Sequence, residues 1–197
     1  MTQSFNGFSD YAKKLAEAME TLNYQQIDYF AKCISLTTLY KGSLFVCGNG
    51  GSAAIANHFS CDYMKGVTEN SPKHLIPVKA ISLSSNIPLL TAVANDIGYE
   101  DVFSYQYKQL SDNGHDRLVV VSSSGNSPNI VKVVKEALVQ EKQVFGIVGF
   151  DGGKVMKLIP ETTIHIKSDN YGIIEDCSQA IMHMVAQQII IWNHQES

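Results

Sequence analysis

A cluster of hydroxyl groups near the middle of the chain is the first feature that could bind an anion. Ser122, Ser123 and Ser124 precede a glycine, and Ser127 is followed by Pro128, a pair that suits the cap and first turn of a helix. Hydroxyl donors, free backbone amides and the positive end of a helix together favour a phosphate dianion. A serine-rich capped turn without a ligand is the alternative. The segment lacks the lysine of a nucleoside-triphosphate loop and the GxSxG pattern of a hydrolase serine.

A glycine-rich segment, GNGGSA at residues 48–53, formally matches the dinucleotide fingerprint GxGxxA. That interpretation needs an acidic residue at the end of the next strand, to bind the ribose hydroxyls. The next predicted strand ends in ISLS (81–84), without a carboxylate. The pattern therefore disfavours a nicotinamide cofactor.

Two predicted helices carry side chains that could ligate a metal or transfer protons. His58 and Asp62 are four positions apart and so lie on one helix face, where they could serve either purpose. A solvated surface pair fits the same spacing. The final helix offers Glu175, Gln179 and His183 at successive intervals of four. Because most of that helix is apolar, its histidine could equally be a core residue.

Alternating strands and helices must position these groups. Five short apolar runs predict strands at 43–47, 77–82, 117–121, 143–148 and 162–166. Helical patterns fill 52–65, 87–95, 101–111 and 128–141, and a last helix spans about Ile173 to Trp192. Such alternation indicates right-handed crossovers and a parallel sheet covered on both faces. Ligands bind beyond the carboxyl ends of such strands, so the glycine-rich and serine-rich loops should open onto one crevice.

The residues before the first strand have helical spacing. Apolar positions from 8 to 36 predict two helices, or one helix bent near Asn23, that end near Thr37. A polar side on this segment suggests packing against another subunit as well as the body. No linker composition interrupts the rest. The chain is therefore predicted to be a single α/β domain over 1–197, with a helical N-terminal arm (1–41) and an α/β body (42–197).

Composition excludes several classes of protein. The 197 residues contain 15 Lys and Arg against 19 Asp and Glu, a net charge of −4, which disfavours electrostatic binding of nucleic acid. No apolar run approaches the roughly 18 residues that cross a bilayer, and no signal peptide is visible. Four cysteines form no CxxC pair and are interpreted as reduced thiols in a cytoplasmic protein.

Taken together, the motifs resemble the sugar isomerase (SIS) domain family and, within it, the phosphoheptose isomerases. The segments that carry the resemblance cover nearly the whole chain in order: NGGSAAIANHFSCD (49–62), AVANDIGYEDVF (92–103), SSSGNS (122–127), GFDGGK (149–154) and YGIIEDCSQAIMH (171–183). The resemblance implies a five-stranded parallel sheet flanked by helices, in flavodoxin-like order. It also implies a homotetramer with sites between subunits, a phosphosugar substrate and cytoplasmic localisation.

The resemblance also implies roles for individual residues. Those matched to substrate binding are Asn49, Gly50, Gly51, Ser52, Asn95, Asp96, Ser122, Ser123, Ser124, Ser127 and Glu175. Those matched to the ligands of one Zn²⁺ per subunit are His58, Asp62, Glu175 and His183. Asp62 and His183 match the acid/base pair that would convert sedoheptulose 7-phosphate into D-glycero-D-manno-heptose 7-phosphate, for the heptose of lipopolysaccharide. Relatives that bind the bacterial replication initiator without catalysis provide the alternative function.

This chain departs from the family at two of these positions. The family usually has Glu where Asp62 stands and Gln where Glu175 stands. Glu175 and His183 are separated by eight positions, which span about 12 Å of ideal helix, a long way for both to bind one ion. Either Glu175 precedes the first regular turn and reaches back, or Gln179 faces the site. We favour the first, because Tyr171 and Gly172 resemble a strand-to-helix connection.

Overall fold

A five-stranded parallel sheet in the order β2-β1-β3-β4-β5 forms the centre of the protein. The structure, a computed structural model, describes residues 6–72 and 79–195. The strands are β1 (Ser43–Cys47), β2 (Lys79–Ser82), β3 (Arg117–Ser122), β4 (Gln143–Val148) and β5 (Thr163–His165). This is the flavodoxin-like order, and the predicted fold class is confirmed. Residues 77 and 78 of the second predicted strand lie outside the described residues.

Helices cover both faces of the sheet. Within the described ranges the α-helices are α1 (Phe8–Glu20), α2 (Tyr24–Leu39), α3 (Gly51–Cys61), α4 (Ile87–Asp96), α5 (Val102–Leu110), α6 (Pro128–Val139), α7 (Gly153–Leu158) and α8 (Tyr171–Gln195). A π-helical segment, Asp62–Val67, continues α3, and 3₁₀ turns lie at Tyr99–Asp101 and Pro160–Thr162. The helix predicted over 52–65 is therefore two segments of different pitch.

Alternating side chains of the strands divide the core into two layers. In β1, Leu44 and Val46 pack with residues of α1, α2, α3 and α8. Phe45 and Cys47 point to the opposite face and pack with α4, α5, α6 and α7. Because successive side chains of a strand alternate between faces, a strand buried on both faces is apolar throughout, as β1 is.

The N-terminal segment forms two helices rather than one bent helix. The side chain of Asn23 accepts hydrogen bonds from the amides of Gln25 and Gln26 and so caps α2. The second helix ends at Leu39, one residue beyond the end predicted at Thr37 and Thr38. The Thr37 hydroxyl donates to the carbonyl of Cys33 at 2.9 Å within the helix, and α2 continues to Leu39.

The last helix is the longest and packs between the arm and the sheet. It starts at Tyr171 because the Asn170 carbonyl accepts from the amide of Ile174, and the Asn170 side chain from that of Ile173. Over the residues that the structure describes, no helix combines the length and apolarity that a bilayer crossing requires.

Candidate active site

Two loops meet at the point where the strand order reverses, between β1 and β3. The loop after β1 contains Asn49, and the loop after β3 leads into α6, whose second residue is Asn129. Each asparagine donates from its amide nitrogen to the other's amide oxygen, both at 2.9 Å. The hydroxyl of Tyr99 also donates to Asn49 Oδ1, at 3.1 Å. The predicted common crevice is therefore fixed by side-chain bonds between its two loops.

The serine-rich loop has the form expected of an anion cradle. Ser122 and Ser123 are buried, and Ser127 is the N-cap of α6. Among the described contacts, however, the Ser127 side chain makes no capping hydrogen bond, so its hydroxyl is available to a ligand. The positive end of α6 adds a favourable field for a phosphate. Whether these serines bind phosphate stays a prediction.

The segment GFDGGK supports the serine loop from behind. Gly125 has a φ of +62°, and a Cβ there would clash with the carbonyl of Gly152. The Gly125 carbonyl accepts from the amide of Val155 at 3.0 Å, and the Asn126 side chain accepts from that of Lys154 at 3.1 Å. Only glycine combines this backbone conformation with so close an approach.

A cavity of about 520 Å³ adjoins the cradle. Ser124 and Asn126 line it on the cradle side, and Phe150 and Tyr171 form an edge-to-face aromatic pair on the other. This volume is within the range of small-molecule sites. The cavity therefore offers room beside the serine loop for a ligand bound there.

His58, Asp62 and His183 come together around one point. The His58 Nε2 lies 3.2 Å from Asp62 Oδ1, and the His183 Nε2 lies 3.3 Å from Asp62 Oδ2. The two Nε2 atoms are 3.4 Å apart, although 125 positions separate the histidines. We call these three residues the triad. The structure thus rules out the alternatives of an isolated surface pair and a core histidine.

The backbone changes pitch where the triad carboxylate begins. The α-helix α3 ends at Cys61, and the π-helical segment starts with Asp62. Beneath it the Tyr63 side chain is fully buried, and burial raises the pKa of its phenol well above the ordinary range. π-Helical turns are rare and occur frequently at functional sites. A neutral, buried tyrosine therefore anchors the turn that presents Asp62.

The triad fits a divalent metal such as Zn²⁺. Imidazole nitrogen and carboxylate oxygen bind zinc at about 2.0–2.2 Å, so donors at the corners of a tetrahedron are about 3.3–3.6 Å apart. The two histidine Nε2 atoms are 3.4 Å apart, and each lies 3.2–3.3 Å from a different oxygen of the Asp62 carboxylate, distances close to that spacing. Their ligand atoms all lie within 4.8 Å of one another. The chain therefore possesses a possible metal-binding group of two histidines and one carboxylate.

Glu175 lies elsewhere, in the second turn of α8. The expectation that it precedes the first regular turn is wrong, because α8 begins at Tyr171. Its carboxylate packs against the first residue of α3, where a Cβ on Gly51 would lie 2.5 Å from the carboxyl carbon. Of the two alternatives, the structure shows the second: Gln179 faces the triad, and its Nε2 lies 2.8 Å from the Nε2 of His183.

Three further predicted residues lie on α3 and α4. Ser52 is buried in the first turn of α3. Asn95 and Asp96 end α4, both exposed, and the Asn95 amide donates to the Asp96 carboxylate at 2.7 Å. Their contact with a substrate stays a prediction.

Sequence reasoning missed two residues that shape the crevice. Asn129 is buried and pairs with Asn49, and Ser84 donates to the Gly48 carbonyl at 2.9 Å and accepts from its amide at 3.2 Å. The sequence contains only a weak signal for Asn129, the repeated pairing of Gly with Asn in GNG and GNSPN. Ser84 lies two residues after the end of β2, where a polar residue beside the crevice could be expected.

Comparisons with known proteins identify the family. The SIS domain profile matches residues 7–149. The phosphoheptose isomerase of Colwellia psychrerythraea is 31% identical over 191 residues, covering 96% of this chain and 94% of the relative. The phosphoheptose isomerase of Aromatoleum aromaticum is 35% identical over 159 residues, covering 81% of this chain and 77% of the relative.

A solved structure leads to the same assignment. The phosphoheptose isomerase of Neisseria gonorrhoeae superposes with a TM-score of 0.81 at 29% identity, covering 92% of this chain and 94% of that one. The fold, the ordered motifs and the relatives thus agree. The chain belongs to the SIS domain family and, within it, to the phosphoheptose isomerase family.

Proposed function

We propose that this protein is an aldose–ketose isomerase that converts sedoheptulose 7-phosphate into D-glycero-D-manno-heptose 7-phosphate. The observation that carries the proposal is the convergence of His58, Asp62 and His183, with separations of 3.2–3.4 Å, on α3 and α8. The first turn of α3 adjoins the loop that pairs with α6, and His58 lies two turns further along the same helix, so a substrate bound at the cradle would extend toward the triad. Family membership supports the same reaction.

The cradle would hold the phosphate and thereby position the reacting carbons. Serine hydroxyls and the amides at the start of α6 suit a dianion. Binding energy from this remote group would be used to orient C1 and C2 at the triad. Substrates without the phosphate should therefore lose turnover as well as affinity.

The isomerisation needs one proton moved between carbons and one between oxygens. Asp62 would remove a proton from C1 of the ketose while His183 donates a proton to the carbonyl oxygen at C2, giving a cis-enediol. Asp62 would then return its proton to C2, and His183 would take the proton from the oxygen at C1. The product is the aldose, and both side chains regain their starting states.

Zn²⁺ is the proposed metal, and His58, Asp62 and His183 are the residues that would hold it. A bound divalent cation would supply Lewis acidity at the carbonyl oxygen. Both roles proposed for His183 use a ring nitrogen, and its Nε2 is the atom that faces the other triad members. At that nitrogen, ligation and proton donation exclude each other. Turnover with and without added Zn²⁺ after chelation therefore decides which role His183 has.

The test is turnover of sedoheptulose 7-phosphate followed by NMR. Asp62→Asn and His183→Ala should each lower kcat by about 100-fold or more, the usual contribution of a general acid or base. Asp28→Asn and His115→Ala are matched controls, since Asp28 and His115 lie outside the triad and are exposed. Turnover near the parent level in Asp62→Asn or His183→Ala would remove that residue from the mechanism.

The alternative, non-catalytic binding of the replication initiator, lacks support from the relatives described above, and it gives no reason for the triad. A pull-down with the initiator beside the turnover assay separates the two. Capture without turnover would overturn the isomerase assignment.

We further propose a cytoplasmic homotetramer, with sites between subunits, that serves lipopolysaccharide heptose synthesis. Large apolar side chains of α2 are exposed, including Leu36 at 42% and Leu39 at 64%, as expected where another subunit covers them. The four cysteines are free thiols, which suits a reducing compartment. Light scattering coupled to gel filtration tests the tetramer, and a monomer would exclude sites between subunits.

A further inference from the structure

Side chains from two directions hold the glycine-rich loop. Asn49 pairs with Asn129 in the first turn of α6, and its Oδ1 also accepts a hydrogen bond from the hydroxyl of Tyr99 at 3.1 Å. Tyr99 begins the 3₁₀ turn that lies between α4 and α5. The single side chain of Asn49 therefore connects that turn to α6.

A second connection between the same turn and α6 closes a ring. Lys132 is three positions after Asn129 and so lies on the same face of α6. Its ammonium is 2.9 Å from a carboxylate oxygen of Glu100 and 2.9 Å from one of Asp101, both in the 3₁₀ turn. We call the residues of this closed circuit the loop ring: Asn49, Tyr99, Glu100, Asp101, Asn129 and Lys132.

The charge of Lys132 is neutralised inside the loop ring. Two carboxylates surround the one ammonium, so a phosphate dianion that approached Lys132 would meet a net negative charge. The hydrogen bonds to Asp101 and Glu100 raise the pKa of Lys132, which keeps the ammonium protonated. A single exposed ion pair contributes little to stability, but a network of several charges can contribute more. Lys132 is therefore better suited to hold the turn than to bind an anionic substrate.

The 3₁₀ turn adjoins the end of α4, where substrate contacts are expected. Asn95 and Asp96 are the last residues of α4, and two residues separate them from Tyr99. One of the two is Gly98, whose φ of +155° and ψ of +151° are almost confined to glycine. Because glycine restrains the backbone little, the position of the turn depends on the contacts of the loop ring.

We propose that Lys132 is a positioning residue for the isomerase reaction. By holding the turn Tyr99–Asp101 against α6, it places Asn95 and Asp96 where the substrate binds. The substrate contacts belong to the proposed function, on which this inference rests, but the state of the turn can be measured without any sugar. Lys135 provides a matched control, because it is exposed on the same helix and has no ion pair among the contacts that the structure describes.

Hydrogen exchange followed by mass spectrometry tests whether Lys132 holds the turn. Without sugar, the peptide covering residues 95–103 should exchange about 3-fold faster or more in Lys132→Met than in the parent. Exchange should stay at the parent rate in Lys135→Met. Lys132→Arg should restore slow exchange, since a guanidinium can also bind two carboxylates.

A variant with both Glu100→Gln and Asp101→Asn removes the same ion pairs from the other side. This double variant should reproduce the faster exchange of Lys132→Met, and it keeps the test valid if the methionine disturbs α6. Parent-like exchange in both proteins would overturn the inference, and so would an equal acceleration in Lys135→Met.

Steady-state kinetics tests the effect on the substrate. With sedoheptulose 7-phosphate, Lys132→Met should raise KM by about 3-fold or more and keep kcat within about 2-fold of the parent, because the triad is untouched. Competitive inhibition by inorganic phosphate should be unchanged, since phosphate alone needs only the cradle. An unchanged KM would overturn the positioning role. Phosphate inhibition that weakens in step with KM would also overturn it, because Lys132 would then act on the anion itself.

The two measurements separate this inference from the isomerase assignment. A parent protein that does not turn over sedoheptulose 7-phosphate would contradict the proposed function, whereas exchange in the 95–103 peptide would still show whether Lys132 holds the turn. A parent that turns over the sugar, with a Lys132→Met variant that matches it in exchange and in KM, would contradict only the role of Lys132.

Discussion

Asn49 and Asn129 form a reciprocal pair of amide hydrogen bonds, each 2.9 Å long, across 80 positions of sequence. Asn129 is buried, while Asn49 stands at the edge of the crevice. The pair joins the glycine-rich loop to the first turn of α6, which carries the serine cradle. These two side chains therefore add a direct connection between two loops that already follow the neighbouring strands β1 and β3.

Removing this pair should loosen the crevice. In Asn129→Ala the free energy of unfolding should fall by about 1–3 kcal/mol, because two partly buried hydrogen bonds are lost and the partner amide is left with an unpaired donor. KM for the phosphosugar should rise as well. Urea unfolding and steady-state kinetics measure the two effects. Tyr99→Phe, which removes only the exposed 3.1 Å bond to Asn49, is the smaller reference change. Equal effects of the two substitutions would contradict this account.

Two helix caps provide a matched test of the phosphate cradle. Ser127 caps α6 by position, but in the described contacts its hydroxyl does not bond the helix amides; the Asn23 side chain bonds two amides of α2. Ser127→Ala should therefore raise KM by about 10-fold, as expected when a charge-assisted hydrogen bond is lost, and leave stability nearly unchanged. Asn23→Ala should lower stability by about 1 kcal/mol and leave KM unchanged.

Thermal unfolding and inhibition by inorganic phosphate would follow both cap variants. Inorganic phosphate should inhibit the parent competitively and Ser127→Ala more weakly. A Ser127→Ala protein that loses stability but keeps its KM would show that the hydroxyl is structural.

Gly51 should tolerate a side chain only if Glu175 moves. A Cβ at Gly51 would lie 2.5 Å from the Glu175 carboxyl carbon, so Gly51→Ala should cost about 1 kcal/mol while the flexible carboxylate is displaced. In a Glu175→Ala background the same substitution should cost little. Gly66→Ala is the control, because its Cβ would meet open space. Denaturant unfolding of the four-member cycle gives the coupling energy, and additive effects would disprove the contact.

Alkaline pH should weaken the contact between the arm and α8. Burial, followed by the 2.6 Å hydrogen bond that Tyr11 donates to Asp176, raises the pKa of Tyr11 to about 12. The unfolded value is about 10, so the folded state retains its proton more strongly. The stabilisation is complete below pH 10 and is lost as the pH rises from 10 toward 12. The difference in unfolding free energy between the parent and Tyr11→Phe should accordingly shrink from pH 9 to pH 11.

Both proteins contain the other tyrosines, so the effect of their titration cancels in the difference between the two unfolding free energies. A difference that stays constant over the same range would show that the phenol of Tyr11 does not couple to folding.

Sequence periodicity predicted most of the framework but not its local irregularities. The strands at 43–47 and 143–148 are as predicted, since an apolar run between turn signals is unambiguous when both faces are buried. Helix α7 was missed because six residues are too few to display a helical period. The π-helical start at Asp62 was missed because it leaves the same apolar pattern as an α-helix over so short a stretch.

The sequence predicted those parts of the site whose residues lie close together along the chain. His58 and Asp62 share a helix face by spacing alone, whereas their meeting with His183 depends on how α8 packs against α3. Whether Glu175 lies inside α8 depends on where that helix begins. Asn170 caps the helix, so it begins at Tyr171, four residues before Glu175. Asn129 resembles any polar residue in a first helical turn, so only the folded chain reveals its partner.

Helix α3 also works as a spacer. From Gly51 beside the glycine-rich loop to His58, its rise amounts to about 10 Å, at 1.5 Å for each residue. One residue inserted or deleted in this stretch would turn His58 and Asp62 by about 100° around the axis and carry both away from the imidazole on α8. The helix can tolerate point substitutions in this stretch but not a change of length. In a library of single-codon deletions, variants with a deletion in this helix should therefore be inactive.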